Sequence, residues 1–352
     1  MTHTRSAREL VSPDGDRALA RLKVRPRWFL PTLAFFVGCA LALVMGEIAV
    51  RIAEPRADTP GLPLPGSARL YGFAPNSTGY AGGVAFWTNS SGFRGEDFTS
   101  IDPEQDVVVM VLGDSYSFGY GVQANEAYPA VLEADLRERY PARRLRVVNL
   151  AIPGYDTSQE LATLQEWGPR LHPRFVLLQY HLNDISRHDE GSGPQPHDLR
   201  GVLTALGAHI HVLRFMLPRI AAIARSLHWH GRTTATAELA EYVGNGPAWQ
   251  RNQQALGELI TYARSLGAAT GVLVVPYVVQ LNAEHGPAPA YEVVMRFVDA
   301  MGVPAENAFE DFKGQNARDL WINAFDGHPN ARGQMLMEHA AGRLMERMLE
   351  KP

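Results

Sequence analysis

A short apolar run near residue 110 constrains the fold of this chain more than any other feature. It reads Asp106-Val-Val-Val-Met-Val-Leu112 and shows no alternation of polar and apolar residues. Such a β-branched run predicts a strand covered on both faces, as strands are in a parallel sheet flanked by helices. The glycine-rich segment Gly113-Asp-Ser-Tyr-Ser-Phe-Gly-Tyr-Gly-Val122 follows and places Ser115 where the strand ends. Because α/β proteins bind ligands at this edge of the sheet, Ser115 is a candidate site residue.

The same pattern of an apolar strand followed by a polar or glycine-rich loop occurs twice more. Residues 145–150 lead into a loop that contains Gly154, and residues 174–180 lead into a loop that contains Asn183. Parallel strands would bring all three loops to one edge of the sheet. Near its end the chain reads Asp326-Gly-His328-Pro-Asn330, which adds a carboxylate and a histidine to the candidates.

Predicted strands and helices alternate along most of the chain. We predict strands at 106–112, 145–150, 174–180 and 271–275, and helices at about 126–139, 157–168, 248–266, 289–301 and 330–348. This alternation indicates βαβ units and an α/β fold. Residues 186–247 interrupt it with a glycine- and proline-rich opening and a helical spacing at 199–227. We interpret them as a packed helical insertion, with a lid over the site or a membrane-facing surface as the alternatives.

Four separated residues carry a resemblance to a known superfamily. In chain order, Ser115, Gly154, Asn183 and His328 match the name residues of the SGNH (GDSL-type) hydrolases. The resemblance covers roughly residues 70–350, and Thr88-Asn-Ser-Ser-Gly-Phe-Arg94 is similar to the segment before the first block in membrane-tethered members. It implies a three-layer α/β/α sandwich with a flavodoxin-like parallel sheet.

The chemistry of ester cleavage explains why these residue types occur together. A serine hydroxyl is a weak nucleophile at neutral pH and needs a base within hydrogen-bond reach, which His328 can supply. Asp326 would hold the imidazole in the working tautomer and stabilise the imidazolium that forms. The resemblance implies that the oxyanion is bound by the N–H groups of Ser115 and Gly154 and by the side-chain amide of Asn183. This chemistry requires no metal and no cofactor.

Other residues near these loops are weaker candidates. We expect Tyr116, Tyr155 and His181 to contact the substrate, and Tyr120 to lie near the same pocket. Asp114, beside Ser115, is expected to brace the turn through backbone hydrogen bonds.

The spacing between the acid and the histidine departs from the superfamily. Members more often have two residues between them, whereas only Gly327 separates Asp326 from His328. The glycine would allow a tight turn that presents both side chains to one side. Glu310, Asp311 and Asp319 are therefore the alternative orienting acids.

Composition limits the classes of partner. The formal net charge is −4, which argues against a nucleic-acid partner because binding phosphates requires a basic surface. Cys39 is the single cysteine, so no intrachain disulfide can form. The pair His228 and His230 has the close spacing of metal ligands, but no carboxylate or cysteine cluster accompanies it, so we predict no metal site.

The N-terminal segment has the composition of a membrane span. Residues 28–46 hold no charge and would form a helix about 28 Å long, close to the thickness of a bilayer core. Six basic residues lie within 8–27 and two within the 20 residues after Gly46, which favours a cytoplasmic amino terminus. We predict a basic cytoplasmic arm at 1–27, an anchor at 28–50, a proline-rich linker at 51–66 and the hydrolase-like domain at 67–352. A cleaved signal peptide and a buried core helix are the alternatives.

These features predict a membrane-anchored serine esterase whose domain lies outside the cytoplasm, in the periplasm if the source is a Gram-negative bacterium. Acyl esters of envelope polysaccharide, peptidoglycan or lipid are the expected substrates. Transfer of the acyl group to a carbohydrate hydroxyl is the alternative reaction, since the same acyl-serine serves both. A catalytically silent envelope-binding module is a third interpretation.

The basic asymmetry around the apolar segment predicts the topology of the chain. An alkaline phosphatase fused after Pro352 should be active, and a fluorescent protein fused there should be dark, because only the first folds outside the cytoplasm. The opposite pair of results would reverse the topology and would contradict an envelope substrate.

Overall fold

The structure is a computed structural model that describes residues 29–53, 58–102, 104–185, 216, 234–281, 288–324 and 326–350. The predicted arm at 1–27 lies outside these ranges. So does most of the predicted insertion, including the helical spacing at 199–227 apart from Met216, and the pair His228 and His230. The chain divides into two compact units, Met1–Ala53 and Glu54–Pro352.

The first unit contains one long helix, α1 (Phe29–Ala53). Its span Leu30–Val50 is long and apolar enough to cross a membrane, a property that anchors and signal sequences share. The helix continues three residues beyond the predicted anchor of 28–50, so the predicted linker begins too early. Ile52 and Ala53 are compatible with a helix, whereas the proline at position 55 disfavours its continuation.

The second half of the predicted linker is also not a free spacer. Strand β1 (Leu62–Pro63) pairs antiparallel with β2 (Tyr71–Gly72). Thr59 donates its N–H to the carbonyl of Tyr80 at 2.8 Å. Proline-rich backbone is extended, and an edge strand tolerates the missing N–H of proline. Residues 58–66 therefore hold hydrogen bonds to the elements that follow them.

A small hairpin follows, formed by β3 (Thr78–Ala81) and β4 (Val84–Trp87). Phe86 of β4 packs edge-on against Phe118, with ring centroids 5.1 Å apart, and Phe73 lies against both rings. This aromatic cluster attaches the N-terminal hairpins to the segment that carries Ser115.

The centre of the domain is a five-stranded sheet. Its strands are β5 (Val107–Leu112), β6 (Leu145–Asn149), β7 (Phe175–Tyr180), β8 (Ala269–Val274) and β9 (Ala305–Asn307). All neighbours pair in parallel, in the order β6-β5-β7-β8-β9. Numbered within the sheet this order is 2-1-3-4-5, which is the flavodoxin-like arrangement and confirms the predicted sheet.

Helices cover both faces of the sheet. The helices described in this second unit, numbered on from α1, are α2 (Ser115–Phe118), α3 (Tyr128–Arg139), α4 (Thr157–Leu171), α5 (Thr234–Val243), α6 (Pro247–Ser265), α7 (Ala288–Ala300), α8 (Phe309–Phe312) and α9 (Ala331–Glu350). Alternate residues of β5 enter different cores: Val108 and Met110 pack with α4, α6 and α7, whereas Val109 and Val111 pack with α3 and α9. This alternation confirms the three-layer α/β/α fold.

Every predicted strand and helix of the core is present, with ends within three residues of the prediction. The sequence pattern missed three features. Strand β9 is only three residues long and has no apolar run. The N-terminal hairpins are short and irregular, and β10 (Trp321–Asn323) pairs with β11 (Asp326–Pro329) in a hairpin near the C-terminus.

Helix α4 buries a carboxyl group in the core. Glu160 is 1% exposed, and neither of its carboxyl oxygens has a hydrogen-bond partner in the described part of the chain. Burial raises the pKa of Glu160 well above its usual range, and the charges of Asp114 and Asp156 raise it further. Glu160 is therefore expected to be a neutral acid in the folded protein.

This burial predicts how stability depends on pH. Because the folded-state pKa is raised, the unfolded chain loses the Glu160 proton first as pH rises above about 4.3, and folding stability then falls by up to about 1.4 kcal/mol per pH unit. Glu160→Gln should remove that loss, so its stability advantage over wild type should grow from pH 5 to pH 8. Urea unfolding followed by tryptophan fluorescence at both values measures it. A difference that stays constant across this range would show that Glu160 is ionised in the folded state.

Candidate active site

Ser115 is the first residue of helix α2, directly after the carboxyl end of β5. Asp114 caps this helix, since its Oδ1 accepts the N–H of Tyr116 at 2.9 Å. This contact is the bracing role expected of Asp114. As the first helical residue, Ser115 has an N–H with no acceptor inside the helix.

Three amide side chains hold the helix of Ser115 through hydrogen bonds. Gln179 Oε1 accepts from Ser117 Oγ at 2.8 Å, and Asn149 Nδ2 donates to the Ser117 carbonyl at 2.6 Å. Gln334 Nε2 donates to the Tyr116 carbonyl at 3.1 Å. The sequence analysis missed all three residues. Gln179 could have been suspected, because it is the one polar side chain within the apolar strand β7.

Arg94 closes the other end of this helix. Its guanidinium donates to the carbonyls of Phe118, Gly119 and Val122 at 2.9, 2.7 and 2.8 Å. These include carbonyls that a helix end leaves without partners. Burial lowers the pKa of Arg94 to about 10, so the side chain stays charged at neutral pH. The segment 88–94, singled out by resemblance, thus has a structural task at the site.

Ser115, His328 and Asp326 form one hydrogen-bonded chain. His328 Nε2 lies 2.9 Å from Ser115 Oγ, and His328 Nδ1 lies 2.6 Å from Asp326 Oδ1. The backbone N–H of His328 also donates to Asp326 Oδ1, at 3.1 Å. Burial alone would raise the pKa of Asp326, but the hydrogen bonds and charge of His328 outweigh it and lower that pKa. Asp326 is therefore an ionised partner for the imidazole.

The short spacing between the acid and the histidine follows from strand geometry. Asp326 and His328 are alternate residues of β11, so their side chains leave the strand on the same face. The alternative acids are engaged elsewhere or lie at the surface: Asp311 pairs with Arg343, Glu310 pairs with Lys313, and Asp319 is exposed. Asp326 is the acid that contacts His328.

The loops of Gly154 and Asn183 flank the serine. Strands β6 and β7 are the two neighbours of β5, so the loops that follow them leave the sheet on either side of Ser115. Asn183 lies in the three-ten helix Leu182–Ile185, and its Oδ1 has no hydrogen-bond partner among the described residues. Gly154 follows Pro153, whose carbonyl accepts the hydroxyl of Tyr71 at 2.9 Å. The oxyanion-binding role of both residues stays a prediction.

The three predicted substrate contacts have different surroundings. Tyr116 and His181 are buried side by side, with ring centroids 4.8 Å apart, and Tyr116 lies 5.7 Å from His328. Burial lowers the pKa of His181, which indicates a neutral ring. Tyr155 is 2% exposed and its hydroxyl donates to the Tyr71 carbonyl, so its side chain packs in the core.

Within the described ranges, no group of three or more histidine, cysteine, aspartate or glutamate side chains is arranged to hold a metal ion.

Close packing behind β11 predicts a compensating pair of substitutions. A Cβ at Gly327 would collide with Val279 Cγ1 and would lie 3.5 Å from the Trp321 ring. Gly327→Ala should displace β11 and slow the labelling of Ser115 by a fluorophosphonate, by up to about 10²-fold for a shift of about 1 Å. Adding Val279→Ala should restore most of that rate. The single variant Val279→Ala is the control, and equal labelling by Gly327→Ala and wild type would show that β11 tolerates the side chain.

Comparison with known proteins agrees with this geometry. Residues 111–336 match the GDSL-like Lipase/Acylhydrolase family, and this range contains Ser115, Gly154, Asn183 and His328. The chain is 36% identical over 76 residues to thioesterase 1/protease 1/lysophospholipase L1 of Escherichia coli K12. That stretch is 22% of this chain, and it spans about a third (34%) of the relative.

Solved structures with related folds are more distant in sequence. The crystal structure of TesA has a TM-score of 0.43 at 17% identity, over 68% of this chain and 99% of that one. Esterase EstA from Pseudoalteromonas has a TM-score of 0.43 at 16% identity, over 70% and 100%. A catalytic mutant of an acetylxylan esterase from Geobacillus stearothermophilus has a TM-score of 0.43 at 16% identity, over 68% and 93%.

Family membership therefore rests on the match over residues 111–336, which covers more than half of the chain. The chain belongs to the GDSL-like Lipase/Acylhydrolase family.

Proposed function

We propose that Ser115, His328 and Asp326 are the nucleophile, base and orienting acid of this hydrolase. The observation that carries the proposal is the unbroken chain of hydrogen bonds from Asp326 Oδ1 through the imidazole to Ser115 Oγ. An imidazole held at both nitrogens in this way has its tautomer fixed, with the proton on Nδ1 and the lone pair of Nε2 facing the serine.

The reaction then proceeds in two halves. Ser115 Oγ attacks the ester carbonyl carbon while His328 Nε2 takes the hydroxyl proton, and the same proton passes to the departing alcohol when the ester C–O bond breaks. Water then attacks the acyl-serine, His328 takes a proton from it, and the acid product leaves as Ser115 Oγ is reprotonated. Ionised Asp326 stabilises the imidazolium in both halves.

Three donors are proposed to bind the oxyanion. They are the N–H groups of Ser115 and Gly154 and the side-chain amide of Asn183. The free helix-terminal N–H of Ser115 and the position of the other two residues on either side of it support this assignment.

We propose hydrolysis as the reaction and an envelope acyl ester as the substrate class, with the domain held outside the cytoplasm by α1. The side chains of His328 and Asp326 keep 29% and 28% of their surface exposed, so water has access to the site. The basic residues before α1 support an extracytoplasmic location, where acylated polysaccharide, peptidoglycan and lipid occur.

Substitution of the three residues tests the mechanism. The full-length protein in detergent should hydrolyse p-nitrophenyl acetate, and Ser115→Ala or His328→Ala should each remove nearly all of that activity. The double variant should resemble either single one, because nucleophile and base act as a unit. Asp326→Ala should cost less, since Asp326 does not exchange a proton, and Asn183→Ala should lower kcat by about 10²–10³-fold.

Asp319→Ala is the matched control for the acid, because Asp319 is exposed and does not contact His328. A well-folded protein that neither hydrolyses esters nor takes a fluorophosphonate label would contradict the proposal. Adding glucose or acetylated oligosaccharide as acceptor distinguishes transfer, since a transferase would form an acylated sugar faster than free acid.

A further inference from the structure

Tyr120 covers one face of the His328 imidazole. The two ring centroids lie 4.4 Å apart and the planes are inclined by 34°. The backbone N–H of Tyr120 donates to the Ser115 carbonyl at 3.0 Å. The ring that supports the histidine is thus tied to the backbone of the serine.

The hydroxyl of Tyr120 is held by a residue far away in the chain. It donates to Asp58 Oδ2, while Asp58 Oδ1 accepts the N–H of Gly82 at 2.8 Å. The neighbour Thr59 exchanges two hydrogen bonds with Tyr80: its N–H donates to the Tyr80 carbonyl at 2.8 Å, and its Oγ1 accepts the Tyr80 N–H at 2.9 Å. Two consecutive residues, Asp58 and Thr59, are therefore both hydrogen-bonded to hairpin β3–β4.

The turn of that hairpin packs directly against Tyr120. A Cβ at Gly82 would lie 2.9 Å from Tyr120 Cε1 and 2.8 Å from the Cα of Gly121. Tyr120 consequently has the hairpin turn and Asp58 on one side and His328 on the other. Such packing limits the rotamers of the tyrosine and keeps its ring over the imidazole.

We propose that Asp58 and Tyr120 are positioning residues for His328, an inference that rests on the proposed role of His328 as the base. The face of an aromatic ring attracts a cation, so Tyr120 stabilises the His328 imidazole most when that imidazole carries the proton taken from Ser115. Asp58 accepts a hydrogen bond from the phenol hydroxyl, which fixes the orientation of the ring and increases its electron density. The pair therefore acts on the charged state that forms during the reaction.

This inference extends the active centre beyond the family match. Asp58 lies outside residues 111–336 and inside the stretch predicted to be a linker, five residues after α1 ends at Ala53. The segment that follows the apolar helix would thus complete the active site as well as connect to it. Truncation at residue 67, where the domain was predicted to begin, would remove Asp58.

Three single variants and one double variant of the full-length protein test the pair. Tyr120→Leu removes the ring face and should lower kcat for p-nitrophenyl acetate by about 2- to 30-fold. Tyr120→Phe removes the hydrogen bond to Asp58, and Asp58→Ala removes that bond together with the one from the Gly82 N–H; each variant should lower kcat by about 2- to 5-fold. KM should change little in all three, because the contact strengthens only as charge develops on His328.

The double variant Asp58→Ala, Tyr120→Phe provides the sharpest test. If Asp58 acts through the tyrosine hydroxyl, Asp58→Ala should have no further effect once the hydroxyl is gone. Asp97→Asn is the control, since Asp97, like Asp58, accepts hydrogen bonds through its carboxylate, here from the N–H groups of Thr99 and Ser90 at 3.0 and 3.1 Å, and it contacts no proposed site residue. It should leave kcat unchanged.

Two outcomes would overturn the inference while leaving the proposed function intact. One is an active wild type whose kcat is insensitive to Tyr120→Leu, and the other is a full additional loss from Asp58→Ala in the Tyr120→Phe background. Urea unfolding of each variant shows whether a loss of kcat merely follows a loss of folded protein. An inactive, unlabelled wild type would instead contradict the proposed function itself.

Discussion

The hydrogen bond between His328 Nε2 and Ser115 Oγ joins residues that are 213 positions apart in the chain. The rest of the domain is arranged so that these two atoms meet. Ser115 follows a buried central strand, and His328 lies on a short hairpin that precedes the C-terminal helix. Neither position depends on local sequence alone. The parallel sheet supplies the fixed distance between them, and its close-packed cores on both faces resist the small shifts that would break the contact.

Rigidity at the serine comes from polar groups buried within an apolar core. Gln179, Asn149 and Arg94 all use their donors or acceptors on the backbone or side chains of the short helix α2. A buried polar group without a partner would destabilise the fold by about 1–3 kcal/mol, so each of these bonds must form in the folded state. The same bonds leave α2 little freedom to move. The interactions that specify the fold at this point therefore also hold Ser115, the proposed nucleophile, in position.

The parts of the fold that could be predicted are those whose signal is local. The apolar runs of β5 and β7, the helical spacing of α9 and the turn after each strand depend on neighbouring residues, and the structure has them where the pattern places them. Ser115 and His328 were identifiable because their residue types and order are specific to one chemistry. Asp58 was not, because its partner Tyr120 lies 62 positions away and no local sequence pattern indicates the contact. Tyr155 illustrates a different limit of local sequence: it is next to Gly154 in the chain, yet its side chain is buried in the core.

Both supports of His328 lie outside the parallel sheet. Asp326 holds the imidazole edge through a hydrogen bond from hairpin β10–β11, and Tyr120 holds its face, with Asp58 and hairpin β3–β4 behind it. In the proposed mechanism the imidazole accepts and releases a proton within one cycle, and a hydrogen bond to Nδ1 alone would still allow the ring to tilt about that bond. The sheet can position the serine, but it offers no side chain to the second face of the histidine. The N-terminal hairpins fill that place, and the family match, which begins at residue 111, does not include them.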